Sequence, residues 1–334
     1  ANSYGVKLDL GGDNFEKRIE IDADEKEVVL YESEVEKTVI IEIVKFSEPE
    51  YAACGIKEIE IDADELMEKP GVKAHRIEII GDSITCGYGT EGRGEEWIHK
   101  TVTENPYKSY SMTTARYFDA DFTIVAWNGK GLLTGYIGED TEPVKDQSWL
   151  LSMLYEYNDA GLERDYFNAL KEDWEKWDFS KSDPELVLIN LGTNDCSYTR
   201  GVVSRNREYT DVYVDFLKTV HSKFPNAKIL CMLGMMDDRL NAAVEEAVVE
   251  FKKYLSEGGS LNRATAGSTN AGQGGIEINP DEVAMGQADD IVRYLELPMQ
   301  KEEDGYGVNF HPTPASHLKA AKVVVKEISD FMGW

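Results

Sequence analysis

Ile77-Glu78-Ile79-Ile80-Gly81-Asp82-Ser83-Ile84-Thr85 sets the frame for the whole chain. Its apolar first half reads as a short buried strand, which runs without a linker into a turn holding a glycine, an aspartate and a serine. Short, nearly continuous apolar strands are what a parallel sheet covered on both faces requires. Downstream, similar strands recur at 122–126, 186–191, 229–233 and 291–295. Amphipathic segments at 107–118, 147–157, 162–174, 210–223, 242–255 and 314–331 alternate with them and predict helices. This alternation predicts an α/β domain with a parallel sheet over 75–334.

Upstream, the pattern is different. Alternating apolar and polar residues at 6–10, 18–21, 28–31, 38–44 and 56–61, with Gly11-Gly12 and two acidic turns between them, predict an antiparallel β-sandwich over 1–74. Lys69-Pro70-Gly71 marks its end. Five strands are few for a closed sandwich, so the expectation includes further strands ahead of residue 1. Two insertions interrupt the later α/β order: an aromatic, acidic stretch at 149–177, expected to pack over the sheet edge, and a Gly/Ser/Thr-rich loop at 258–275, expected to be mobile.

The chain has 334 residues, 42% of them apolar, enough for a sizeable core. Its 63 acidic side chains against 35 basic ones give a formal net charge of -28, which argues against nucleic acid and anionic membranes as partners and suits neutral substrates such as sugars. No run approaches the length of a membrane span, and Ala1-Asn2-Ser3-Tyr4 does not start a signal sequence, although one removed before Ala1 stays open. Cys54, Cys86, Cys196 and Cys231 lie far apart, with no zinc or redox spacing. The expectation is four buried thiols, no metal, no cofactor and a lean towards the cytoplasm.

Four local patterns carry chemistry. Gly81-Asp82-Ser83 places a hydroxyl beyond the carboxyl end of a strand, where reactive groups of open sheets gather, although read alone it also fits a helix cap. Leu191-Gly192-Thr193-Asn194-Asp195 ends another strand at the same edge, where an Asn amide can donate to a developing oxyanion. Asn309-Phe310-His311-Pro312 precedes the last helix and offers an imidazole to take the serine proton, with His317 as second candidate. Trp127-Asn128-Gly129-Lys130-Gly131 supplies glycines that let a backbone N–H approach a reacting oxygen.

In this order the four patterns resemble the conserved blocks of the SGNH hydrolases, the GDSL-like esterases and lipases. The resemblance implies a three-layer α/β/α fold, Ser83 as nucleophile, His311 as base, and an oxyanion hole made by the N–H groups of Ser83 and Gly129 with the Asn194 side chain. A narrower resemblance covers nearly the whole chain: the β-sandwich segment, the Pro-Gly linker, the run from Arg76 to Gly89, and Gly305-Tyr306-Gly307-Val308-Asn309-Phe310-His311-Pro312 are similar to carbohydrate esterase family 2. That similarity implies a jelly-roll domain ahead of the hydrolase domain and removal of acetyl groups from polysaccharides such as xylan or mannan. Tyr88, Trp97, Trp127 and Tyr198 follow the catalytic loops and are candidates for sugar contact.

One position departs from the family pattern. An aspartate is usual three residues before the histidine, and Val308 stands there. The resemblance then implies a Ser-His dyad with a backbone carbonyl near His311 in the acid's place; Asp304 is the alternative acid. Two other functions stay open: a general esterase or lipase on small acyl esters, and an inactive carbohydrate-binding protein. A homo-oligomer also stays open.

Overall fold

Strand β4 (His75–Asp82) forms where the sequence placed it, and a five-stranded parallel sheet is built around it in the computed structural model. The structure describes residues 2–9, 14–22, 26–51, 54–63, 67–68, 71–257 and 288–334. The other strands are β5 (Ala120–Trp127), β6 (Leu186–Asn190), β7 (Lys228–Gly234) and β8 (Val292–Leu297), in the order β5-β4-β6-β7-β8. Neighbours pair in parallel throughout, with Ile79 opposite Ile124 on one side and Leu188 on the other.

Alternate residues of the strands face opposite layers. Val187, Ile189, Ile229, Cys231 and Leu233 enter one core, with residues of the long helices Val203–Lys223 and Asn241–Ser256; Leu186, Leu188, Leu230 and Met232 enter the other, with residues of Tyr110–Tyr117 and Pro314–Met332. Period-two burial on both faces explains why the central strands read as continuous apolar runs. The α/β/α sandwich is therefore present. In chain order the helices are α1 (Ser83–Cys86), α2 (Tyr110–Tyr117), α3 (Leu151–Leu154), α4 (Ala160–Asp165), α5 (Thr193–Thr199), α6 (Val203–Lys223), α7 (Asn241–Ser256) and α8 (Pro314–Met332). The 149–177 stretch holds α3, α4 and one short 3-10 turn at Lys171–Asp173 instead of two long helices, and its Trp149 and Trp174 stack outward from Trp127 of edge strand β5. The 258–275 loop lies outside the described residues.

The N-terminal region departs further from expectation. Three strands pair antiparallel in the order β2-β1-β3: β1 (Asn2–Asp9), β2 (Asn14–Ile21) and β3 (Ile40–Lys45). The strands expected at 28–31 and 56–61 are irregular instead. Val28, Leu30 and Tyr31 still pack on Ile19, so that segment covers the sheet without pairing to it. Ile56, Ile59 and Ile61 are exposed; alternation alone does not make a strand when no neighbour supplies hydrogen bonds. The small sheet meets the larger unit where Phe46 packs edge-on against Tyr107 at 4.8 Å and Tyr107 Oη donates to Glu42 at 3.1 Å. Three of the four cysteines are buried, whereas Cys54 is exposed, against expectation.

Candidate active site

Strands β5, β4 and β6 are adjacent, so their carboxyl ends bring Gly129, Ser83 and Asn194 to one edge of the sheet. Ser83 takes the first position of α1, where its N–H has no acceptor within the helix. Asp82 caps that turn by accepting from Ile84 N at 3.0 Å, and Gly87 closes it in the left-handed conformation. A serine at the head of a single capped turn is held by its own backbone.

The facing wall is the loop before α8. Gly89 has φ +61°, and a Cβ there would lie 2.6 Å from Val308 Cβ, so glycine is what allows the two loops to touch. Val308 N donates to Gly89 O at 2.9 Å and Asn309 N to Glu96 O at 3.1 Å, which fixes the approach. Asn309 and Phe310 both have positive φ, 52° and 60°, a strain of about 1–3 kcal/mol each that sits directly before His311.

The strained loop aims the imidazole. His311 Nε2 lies 2.9 Å from Ser83 Oγ, and Nδ1 lies 3.0 Å from the Val308 carbonyl oxygen. A carbonyl can only accept, so Nδ1 carries the hydrogen and Nε2 presents its lone pair to the hydroxyl. Burial pushes the imidazole down to about 4, opposed by the Val308 carbonyl, which leaves the ring neutral at pH 7. Position 308, where an acid was missing from the sequence, thus provides its main chain.

The other candidates are engaged elsewhere. The Asp304 carboxylate pairs with Lys319 Nζ at 2.7 Å. His317 is fully buried, accepts from Tyr110 N at 3.2 Å and meets Thr90 Oγ1 at 3.3 Å, a structural position.

The Asn194 amide donates to Asp82 Oδ2 at 3.1 Å and to Lys130 O at 3.2 Å, so both of its hydrogens have partners. Burial pushes Asp82 up to about 7, with the neighbouring Asp195 adding to the rise. Asp195 itself has a role that the sequence did not reveal. Its carboxylate accepts from the N–H groups of Leu132, Leu133 and Thr134 at 3.2, 2.7 and 3.0 Å, although burial raises it to about 6. A Cβ at Gly131 would lie 2.5 Å from that carboxylate, and Tyr136 N closes the loop on Gly129 O at 2.8 Å. The loop bearing Gly129 is wrapped around a buried acid, and Gly129, at φ +71°, has open space beside it.

Of the aromatic candidates, Tyr88 lies 4.5 Å from the His311 ring between ring centroids, and its hydroxyl accepts from Asn309 Nδ2 at 3.2 Å. Trp97 is exposed and meets the half-exposed Phe310 edge-on at 5.7 Å, and Phe310 also meets Tyr306 at 5.6 Å. Phe310 was missed because nothing in its letters marks an outward-facing ring. Trp127 is buried beneath Trp149, and Tyr198 is buried with Arg205 over its face. Among the described residues, Glu48, Cys86 and Glu104 form a group with metal-ligating chemistry, behind α1.

Comparison with known proteins places the chain among hydrolases. The model of the GDSL-like Lipase/Acylhydrolase family matches residues 77–324. The chain is 30% identical over 274 residues to a Cellulase/esterase CelE of Acetivibrio thermocellus, covering 80% of this chain and 27% of that protein. It is 26% identical over 236 residues to an acetylxylan esterase / glucomannan deacetylase of Cellvibrio japonicus, covering 70% of this chain and 59% of that one. The chain thus spans less than two thirds of either relative. A solved family two carbohydrate esterase from Clostridium thermocellum, in complex with cellohexaose, superposes with TM-score 0.73 at 27% identity over all of this chain and 86% of that one.

Proposed function

The chain belongs to the GDSL-like lipase/acylhydrolase family, and we propose that it is a serine carbohydrate esterase that removes O-acetyl groups from plant polysaccharides such as acetylated xylan or glucomannan. The observation that carries this reading is the hydrogen-bond line from Val308 O through His311 to Ser83 Oγ, with spacings of 3.0 and 2.9 Å. The names of the relatives and the cellohexaose complex of the similar structure support the choice of substrate.

In this reading Ser83 Oγ attacks the acetyl carbonyl as His311 Nε2 takes its proton. The imidazolium that forms is stabilised by main-chain groups, the Val308 carbonyl at Nδ1–H first and Asn309 after it, with no acid, so the base belongs to a dyad. The oxyanion receives the N–H groups of Ser83 and Gly129 and one hydrogen of Asn194, exchanged from Lys130 O while Asp82 keeps the other. His311 returns its proton to the departing sugar hydroxyl, then takes one from the water that releases acetate. Tyr88 lies against the base, and the exposed face of Trp97 with Phe310 suits a sugar ring. Residues 75–334 act as the catalytic domain, and 1–74 as part of a jelly-roll-like β-sandwich domain, supported by its three paired strands.

Acetate release from acetylated xylan, acetylated glucomannan and 4-nitrophenyl acetate, compared with release from long-chain esters, tests the substrate class. Turnover of the acetylated sugars well above that of long-chain esters is expected. Fast hydrolysis of long-chain esters with none of acetylated sugars would select a lipase-like enzyme instead.

A further inference from the structure

Behind α1, two carboxylates meet in the interior without the partners that such burial demands. Glu48 and Glu104 are 3% and 0% exposed. Glu48 Oε2 accepts from Asn128 N, whereas Glu48 Oε1 and both side-chain oxygens of Glu104 have no hydrogen-bond partner in good geometry. The thiol of Cys86 faces both carboxylates but directs its hydrogen to Ser83 O at 3.4 Å. The donor atoms of Glu48, Cys86 and Glu104 lie within 4.8 Å of one another.

A second observation points into the same space. The His99 side chain is 8% exposed; its Nε2 is buried without a hydrogen bond and stands 3.7 Å from Glu104 Oε2. Its ring is clamped between Tyr51 at 4.6 Å and Tyr88 at 4.1 Å, so the nitrogen is aimed and does not swing out to water. Among the described residues, His99 is the one basic side chain in ion-pair contact with either carboxylate. Lys45 directs its ammonium to Ser47 O and Glu48 O at 2.6 and 3.1 Å. Unpaired buried carboxylates cost several kcal/mol each unless a proton or a cation neutralises them.

We propose that Glu48, Cys86 and Glu104 form a site for one divalent cation of the zinc class, with the His99 imidazole beside Glu104. Two carboxylate oxygens and a sulfur supply three of the four donors that tetrahedral zinc takes and leave the fourth position open, and the sulfur disfavours magnesium and calcium. Binding releases to solvent the Cys86 proton, as the thiolate forms, together with the protons that the two buried acids share without a cation. Three separate segments supply the ligands, so no spacing in the sequence signals the site. The cation would sit behind the catalytic edge: Glu48 holds the N–H of Asn128, next to Gly129, and Cys86 lies in the helix that Ser83 begins. The inference does not depend on the ester substrate.

Metal analysis of the purified full chain tests it, with zinc titrated into chelator-treated protein and thermal unfolding followed in parallel. One zinc per chain is expected, with Tm falling on chelation and recovering with zinc. Glu104→Gln and Cys86→Ser should each weaken zinc binding by more than ~100-fold, beyond the usual cost of losing an outer-shell partner. Cys54→Ser, which alters an exposed thiol, should not. Glu104→Gln removes a buried charge, so it is expected to stay folded by circular dichroism. Failure of the wild-type chain to bind zinc or to change its Tm with zinc would overturn the proposal and leave the two acids sharing protons. Stoichiometric zinc retained by both variants would overturn it equally.

Discussion

At the scale of single residues, the account turns on which group orients His311. The sequence singled out Ser83 and His311 because each sits at a strand or helix boundary, and it exposed Val308 as a gap. It did not reveal that the Val308 carbonyl lies 3.0 Å from Nδ1, since a main-chain acceptor leaves no trace in residue identity. Asp304 is tied to Lys319. Asp304→Ala should therefore keep kcat within about tenfold of wild type, whereas loss of a true triad acid costs roughly four orders of magnitude. The pH profile gives a second check. His311 works as a base only when neutral, and its folded value is lowered from 6.5 to about 4, so activity is retained as pH falls past 6.5 and lost as it passes through about 4. Measured kcat/KM should be level from pH 8 to about pH 5, then fall about tenfold per pH unit below 4. An acid limb near 6.5 would contradict the burial account.

At the scale of elements, all five parallel strands were legible, because a strand buried on both faces must be apolar at nearly every position, as in Leu186–Asn190. The last helix was legible to within one residue, since Pro314 opens it and Gly333 ends it. Helix α5 was not: Gly192-Thr193-Asn194-Asp195 has turn composition, and the helix forms there because Gly192, at φ +134°, lets the chain start it. Its Asp195 then becomes the peg for the loop after β5. Asp195→Ala leaves three buried N–H groups without an acceptor, at ~1–3 kcal/mol each, so chemical denaturation should show a loss of about 3 kcal/mol or more. Asp195→Asn keeps the shape yet turns an NH2 towards some of those donors, so it should not restore full stability. Wild-type stability in both variants would remove the peg from the account.

At the scale of the whole molecule, the site is an outcome of strand order. Gly129, Ser83 and Asn194 are widely separated in sequence, and they meet because β5, β4 and β6 are neighbours that all run the same way. The N-terminal sheet was read less well. Its alternation is genuine, but residues 56–61 have no partner strand among the described residues, and a sequence pattern does not say which neighbour is present. The central claim remains that Ser83 is the nucleophile that removes acetyl groups from a sugar chain. Acetate release from acetylated xylan by Ser83→Ala and wild type at matched concentration tests it most directly. A fall in kcat/KM of at least about a thousandfold in the variant is predicted; turnover by Ser83→Ala at the wild-type rate would contradict it.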